Sequence, residues 1–274
     1  MKLLKMLLLV LALILSLIIS SPQISAQATP SDKVYQQLTQ DERTAFVAEQ
    51  ARRIAREISG GEYEFTPAFE KDIQQSVNQY ARRIANGRGD RLWKGDARFI
   101  LERGKVQAPT LITIFKAHNL SPLIGLYIPW IESEYVNIQT PNSVGALGMF
   151  QFLPKTGERF GLSPQDLLDV GKSAAAAARY ITDNLDQFKD DPMKEALALL
   201  AYNRGEQKTA RDLKVLINEQ NKRCSICALT ADRSKLDETF QSENVFYVPR
   251  FFAAAIIGEN PQAFGMQMQP LSAH

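Results

Sequence analysis

The stretch Leu123–Ile131 contains nine consecutive residues without a charge, and Glu132 follows it directly. Ser121-Pro122 supplies a serine suited to cap a helix and a proline suited to its first turn. Because the stretch would be apolar on every side of a helix, it predicts a buried helix, with a kink or local break at Pro129. The single carboxyl at its end is therefore expected to lie against an apolar wall.

Most of the remaining sequence also has helical periodicity, and no long stretch alternates with the period of two that a strand requires. We therefore predict an all-α, mainly helical fold with little or no strand. Residues 136–161 lose the periodicity and contain several glycines and prolines, which is typical of a long functional loop. The further predicted helices cover residues 34–58, 67–85, 91–102, 109–118, 173–188, 191–201, 206–221 and 248–257.

The first residues have the pattern of a signal peptide. Lys2 and Lys5 precede the apolar run Leu7–Ile19, and Ala26-Gln27-Ala28 supplies a small-x-small cleavage pattern. We predict export to the periplasm or cell envelope, or to the extracellular space, with residues 1–28 removed. Cleavage after Ala26 and retention as a membrane anchor are the alternatives, although the run is shorter than the roughly 20 residues of a membrane span.

The mature chain is expected to have three parts. These are a helical segment of unknown role at 29–105, a catalytic domain at 106–260 and a flexible tail at 261–274. The full sequence has 32 basic and 30 acidic residues, and removal of Lys2 and Lys5 leaves 30 of each. This balance gives no reason to expect a nucleic-acid partner, and no cofactor or metal is predicted.

Cys224 and Cys227 are the only cysteines of the chain. In an exported protein a local disulfide is the natural interpretation. Free thiols and a redox-active pair are alternatives, although no strand–helix alternation typical of redox domains is visible. A zinc site would need two further ligands, and His118 and His274 are distant in sequence.

A carboxyl held against apolar residues is costly to ionise, so the pKa of Glu132 is expected to be raised, as a general acid requires near neutral pH. The alternative is that Glu132 only marks the exposed end of a core helix. Glu134 lies two positions further, on another side of the helix, and is expected to be solvated.

Three motifs decide between these interpretations. Ile128–Ser133 resembles the Glu-Ser motif of the lysozyme-like lytic transglycosylases that carry an SLT domain. Gly145–Gly157 is similar to their glycine-rich loop motif, and Ala201–Glu206 to their Ala-Tyr-Asn-x-Gly motif; Tyr247–Pro249 resembles their late Tyr-Val segment. The resemblance covers roughly residues 110–260, and the proline before the Glu-Ser motif is closest to the membrane-bound murein transglycosylase D branch.

The resemblance implies a peptidoglycan substrate and one catalytic carboxyl. Glu132 would protonate the glycosidic oxygen between N-acetylmuramic acid and N-acetylglucosamine and then accept a proton from the muramyl primary hydroxyl, leaving an anhydro-muramyl end. The substrate acetamido group would replace the second carboxylate that most glycosidases use. The residues assigned to the substrate site are Ser133, Ser143, Gly148, Met149, Phe150, Gln151, Tyr202 and Asn203.

Several of these assignments have alternatives. Phe150 and Phe152 could offer surface to sugar rings or be core, and Tyr202 and Asn203 could be packing and helix-capping residues. Many relatives have serine at the position of Asn142, so the hydroxyl contact would need Asn142 or the shifted Ser143. Arg204, inside the Tyr-Asn motif, is expected to add a charge near the cleft.

Two other functions remain open. A hydrolytic muramidase would need a second carboxylate, for which Glu158, Asp166 and Glu206 are candidates. A non-catalytic wall-binding or assembly protein would use the groove for glycan strands, or residues 29–105 to dock on envelope machinery.

Overall fold

Eleven α-helices form the fold in the computed structural model, which describes residues 33–274. Across this range there is no β-strand, and the only β-type contacts are two isolated bridges, between Ile138 and Gly148 and between Leu147 and Phe152. The all-α prediction is confirmed. The helices are α1 (Gln40–Ser59), α2 (Pro67–Ala81), α3 (Arg98–Ala117), α4 (Pro122–Ser133), α5 (Pro154–Arg159), α6 (Val170–Gln187), α7 (Lys194–Arg204), α8 (Glu206–Leu216), α9 (Ser225–Ala231), α10 (Glu238–Ser242) and α11 (Tyr247–Glu259).

Helix α4 is the buried helix that the charge-free stretch predicts. It packs against α3, α11, α1 and α6, and every residue from Leu123 to Ile131 is buried. Helix α3 approaches so closely that a Cβ on Gly125 would lie 2.3 Å from the Phe115 ring. The expected break at Pro129 is not seen, since α4 continues to Ser133. Burial on all sides holds the helix together where the proline removes a backbone donor.

Helix α3 joins two helices that the sequence analysis separated. Pro109, expected to begin a helix, lies inside α3. Leu101 and Ala108 before the proline and Leu111 after it are all buried. The continuous apolar face therefore favours one helix over a break, which corrects the predicted boundaries.

The N-terminal segment is part of the same compact unit as the rest of residues 33–274. Helices α1 and α2 pack against α11, and α2 makes the more extensive contact. The Tyr63 hydroxyl also donates to the buried Glu195 carboxylate at 2.8 Å. The predicted boundary between residues 105 and 106 falls inside α3, so the described chain does not divide there.

The C-terminal segment 261–274 packs onto the fold and is not the loose tail that its composition suggests. Phe264, Met266 and Leu271 are buried. The backbone N–H of Ser272 donates to the Glu259 carboxylate at 3.2 Å. These apolar side chains are separated by polar residues, which is why no helical pattern revealed them.

None of the helices in residues 33–274 has the length and apolar character needed to cross a bilayer. The predicted signal peptide, residues 1–28, lies outside the described residues.

Candidate active site

Glu132 lies in the last turn of α4 and is partly exposed, whereas its neighbours Ile131 and Ser133 are buried. Its Oε1 accepts a hydrogen bond of 2.6 Å from the Tyr247 hydroxyl, at the start of α11. Burial raises the pKa of Glu132 to about 7, against smaller lowering effects of this hydrogen bond and of the Arg250 charge. The carboxyl can therefore hold or release a proton near neutral pH.

The chain turns sharply after Glu132, because Glu134 and Tyr135 both adopt positive φ, at 50° and 60°. Glu134 is not solvated as expected; its side chain is 1% exposed. One carboxylate oxygen pairs with Arg83 Nη1 at 2.6 Å, and the other accepts the Trp93 backbone N–H at 3.0 Å. Glu134 is buried because the left-handed turn directs its side chain inward, where it pairs with Arg83 of the N-terminal segment.

The glycine-rich loop is held by a backbone hydrogen bond to the segment that follows α4. The Gly148 N–H donates to the Ile138 carbonyl at 2.9 Å. Gly148 has φ +74°, and a Cβ there would lie 2.2 Å from the Leu167 carbonyl oxygen. Only glycine therefore fits this conformation and this close approach.

Ser133, assigned to the substrate site, instead supports the loop. It is fully buried, and its hydroxyl donates to the Met149 carbonyl at 2.7 Å. Met149 and Phe150 are buried as well and do not line the cleft with their side chains. Gly148 is also absent from the lining. None of these four residues contributes a side chain to the cleft wall, so their assignment to the substrate site stays a prediction that concerns the backbone of the loop.

Gln151 does reach the cleft, with a positive φ of 49°. Its Nε2 donates to the Gly148 carbonyl at 2.8 Å, and its Oε1 accepts from Asn142 Nδ2 at 3.5 Å. Asn142 lines the cleft, whereas Ser143 is exposed outside it. Of these two residues, the structure therefore places Asn142 in the cleft wall, and the assignment of Ser143 stays a prediction.

Tyr202 and Asn203 lie near the end of α7 and both line the cleft. The Tyr202 hydroxyl donates to the Phe150 carbonyl at 2.9 Å, so it holds the loop in place rather than bonding to Glu132. Asn203 Oδ1 accepts a hydrogen bond from Asn244 Nδ2 at 2.7 Å. Both residues from the Tyr-Asn motif are thus brought to the site.

Arg204 lines part of the cleft but is only 6% exposed. Its guanidinium pairs with Asp212 at 2.5 Å and with Asp237 at 2.6 Å, and it donates to Asn244 at 3.0 Å. Its charge is therefore neutralised within the protein and is not offered to a ligand, in contrast to the expectation.

Glu132 opens into a cleft with a volume of about 740 Å³. None of the three candidate second carboxylates lines it. Asp166 pairs with Lys172 at 2.5 Å, Glu206 pairs with Arg159 at 2.8 Å, and Glu158 is exposed elsewhere. The carboxylate that does line the cleft together with Glu132 is Glu243.

Trp93, Arg250 and Glu243 also line this cleft, and no sequence pattern indicated them. Tyr247, which donates to Glu132, belongs to the late Tyr-Val segment, but nothing in the spacing of that segment indicates this hydrogen bond. Burial raises the pKa of the Tyr247 hydroxyl well above its ordinary value, so it remains a hydrogen-bond donor. Trp93 precedes Glu132 by 39 residues, and no sequence pattern connects the two.

A disulfide joins Cys224 and Cys227, as expected for an exported protein, and both residues are buried. The Thr66 N–H approaches the Cys227 sulfur at 3.4 Å. Within residues 33–274, no group of three or more His, Cys, Asp or Glu side chains is arranged to hold a metal ion.

No curated protein matches this chain. The X-ray structure of an inactive mutant of the lytic transglycosylase Slt from Pseudomonas aeruginosa is similar to it at 18% sequence identity, with a TM-score of 0.48. That similarity covers 86% of this chain and 37% of the other, so the present chain spans little more than a third of that protein. Residues 112–223, which include Glu132, Gln151, Tyr202 and Asn203, match the family described as the transglycosylase SLT domain.

Proposed function

We propose that the protein is a lytic transglycosylase that cleaves the bond between N-acetylmuramic acid and N-acetylglucosamine in peptidoglycan without using water. The observation that carries this proposal is Glu132, a carboxyl with a pKa of about 7 that opens into a large cleft. Its position inside the segment that matches the SLT domain supports the choice of substrate.

Glu132 acts first as an acid and then as a base. Its proton passes to the glycosidic oxygen, and the bond from that oxygen to the muramyl C1 breaks. The oxygen of the acetamido group at C2 stabilises the positive charge that develops at C1. The ionised Glu132 then accepts the proton of the muramyl primary hydroxyl, whose oxygen forms a new bond to C1. The sugar ring closes as an anhydro-muramyl end, and Glu132 regains its starting protonation state.

The polar contacts around Glu132 fit these two tasks. The Tyr247 hydroxyl occupies Oε1, so Oε2 is the oxygen left to exchange a proton with the substrate. The Gln151 and Asn203 amides offer donors and acceptors for an acetamido group, and both face the cleft. Tyr202 acts through the Phe150 carbonyl, by fixing the loop that presents Gln151.

Hydrolysis by the same site is the second candidate, and Glu243 is the observation in its favour. Its exposed carboxylate lines the cleft with Glu132, as a base that activates water would. Such an enzyme would release reducing muramyl ends in place of anhydro ends, which differ by the mass of one water.

Mass spectrometry of the products from purified peptidoglycan tests both candidates. We expect anhydro-muramyl products from the wild type and from Glu243→Gln, and none from Glu132→Gln. Glu158→Gln, which removes an exposed carboxylate outside the cleft, is the matched control and should retain activity. Reducing ends that disappear in Glu243→Gln would establish the hydrolase, and the absence of any turnover by the wild type would favour a wall-binding protein.

We further infer that the protein is exported and that it acts on glycan strands in the periplasm. The basic start, apolar run and small-x-small pattern of residues 1–28 support export. Pro129 before the Glu-Ser motif supports the membrane-bound murein transglycosylase D branch. Amino-terminal sequencing of the protein from an envelope fraction should give Thr29 as the first residue, whereas an intact amino terminus would indicate a retained anchor.

A further inference from the structure

Trp93 is an exposed aromatic residue that lines the same cleft as Glu132. The residue is 47% exposed, compared with 41% for Phe246 and 39% for Phe99. It belongs to the N-terminal segment, outside residues 112–223, so the family match does not account for it. A single exposed aromatic residue is ordinary on a protein surface, so the feature that distinguishes Trp93 is its place in the wall of the Glu132 cleft.

The backbone at Trp93 is held in an unfavourable conformation. Its φ is 64°, in the left-handed region that bulky residues rarely adopt. The Trp93 N–H donates to Glu134 Oε2. Arg83 binds the other oxygen of the same carboxylate. Arg83 also donates from Nε to the Gly95 carbonyl at 3.0 Å, close to Trp93 in the chain. Conformations of this kind persist where the surroundings over-determine them, and they cluster at functional sites.

About half of Trp93 is covered by the protein, since the residue is 47% exposed. Within residues 33–274, no other aromatic ring and no Arg or Lys stacks on its ring, and its indole N–H makes no hydrogen bond. Trp130, the second tryptophan of the chain, is the opposite case, being fully buried against Tyr80, Tyr127 and Tyr135. A fixed backbone with a half-exposed ring in a cleft wall is the arrangement of a binding surface rather than of a core residue.

We propose that Trp93 is a platform on which one N-acetylhexosamine ring of the glycan strand stacks, at a subsite next to Glu132. The C–H faces of a pyranose ring are apolar and match the face of an indole, whose N–H can meet a sugar hydroxyl at its edge. The proposal rests on the proposed function for its ligand, because the cleft that Trp93 lines is the one into which Glu132 opens. Glu134 holds the backbone of Trp93, and Glu132, two residues earlier, acts on the glycosidic bond.

Binding of the N-acetylglucosamine tetramer to the Glu132→Gln protein, measured by calorimetry, tests the platform without requiring turnover. Adding Trp93→Ala should weaken binding about three- to tenfold, the range expected for loss of an aromatic stacking contact. Trp93→Tyr should restore much of the affinity. Phe99→Ala, which removes an exposed ring that does not line the cleft, is the matched control and should bind as the parent does.

Fluorescence separates a contact with Trp93 from a general change in fold. The chain has two tryptophans, so saturation with the tetramer should shift the emission in the parent, and Trp93→Phe should abolish that shift while Trp130 still emits. Unchanged affinity in Trp93→Ala, an unaltered emission on saturation, or no binding of the tetramer at all would each overturn the platform. Failure to find anhydro products would instead overturn the transglycosylase reaction and leave a Trp93-dependent affinity standing.

Discussion

Replacing the proposed catalytic acid should stabilise the protein, and the gain should depend on pH. Burial raises the pKa of Glu132 from its ordinary value of 4.5 to about 7. The folded state therefore keeps a proton that the unfolded chain releases. Glu132→Gln keeps an oxygen for the Tyr247 hydroxyl but cannot ionise, so it removes the cost of a buried negative charge.

The size of the effect follows from the two pKa values. Below pH 4.5 the carboxyl is protonated in both states, and its contribution to stability is fully present. Between pH 4.5 and 7 this contribution is lost progressively, and above pH 7 the loss is complete. Each pKa unit is worth about 1.4 kcal/mol, which sets an upper value of about 3 kcal/mol. Water in the cleft screens the charge, so we expect a gain of about 1–3 kcal/mol for Glu132→Gln at pH 8.

Urea unfolding of the wild type and Glu132→Gln between pH 4 and pH 8 measures this gain. The free-energy difference should be small at pH 4 and should grow until about pH 7. Glu243→Gln is the matched control, because it removes an exposed carboxylate from the same cleft; its effect should show no comparable growth with pH. A difference for Glu132→Gln that is the same at pH 4 and pH 8 would refute the argument that burial holds the proton on Glu132.

Three further substitutions test the support of the site. Tyr247→Phe removes a hydrogen bond that favours the ionised carboxyl, so the alkaline fall of kcat/KM should move about one pH unit higher; an unmoved profile would exclude the hydrogen bond as the cause. Gly148→Ala should destabilise the protein by more than about 1 kcal/mol beyond Gly161→Ala, which shares the positive φ but meets no atom within 4 Å, as equilibrium unfolding would measure. Glu134→Ala leaves its arginine partner uncompensated and should cost about 3 kcal/mol or more in urea unfolding; a cost below about 1 kcal/mol would show that the pair is not buried in solution.

The features that depend on a short-range pattern of residues could be predicted from the sequence. The charge-free stretch Leu123–Ile131 could be stable only inside a core, and its burial follows from composition alone. The loop between α4 and α5 was evident from the loss of periodicity. In the same way the carboxyl at Glu132 was expected to have a raised pKa, and its position against an apolar wall produces that rise.

The sequence could not show which residues meet across the fold. Glu134 looked solvated because helical spacing continued past Ser133, whereas the left-handed turn directs its carboxylate toward Arg83. Pairing between segments 51 residues apart depends on how the N-terminal segment packs. A sequence also does not show which side chains bond to backbone carbonyls. The hydrogen bond from the Ser133 hydroxyl to the Met149 carbonyl could therefore not be predicted.

The segment that matches the SLT domain, residues 112–223, contains Glu132 but not Tyr247 and Arg250, the two groups that lower its pKa. Tyr247, which donates to Glu132, begins α11, and that helix is held between α4 and the N-terminal helices α1 and α2. Trp93, which lines the cleft, donates its backbone N–H to the buried Glu134 carboxylate. Parts of the chain on both sides of the matched segment therefore complete the site. Since the protonation of Glu132 depends on Tyr247, a substitution that displaces α11 should alter the pH dependence of the reaction without touching any residue of the three motifs that carry the resemblance.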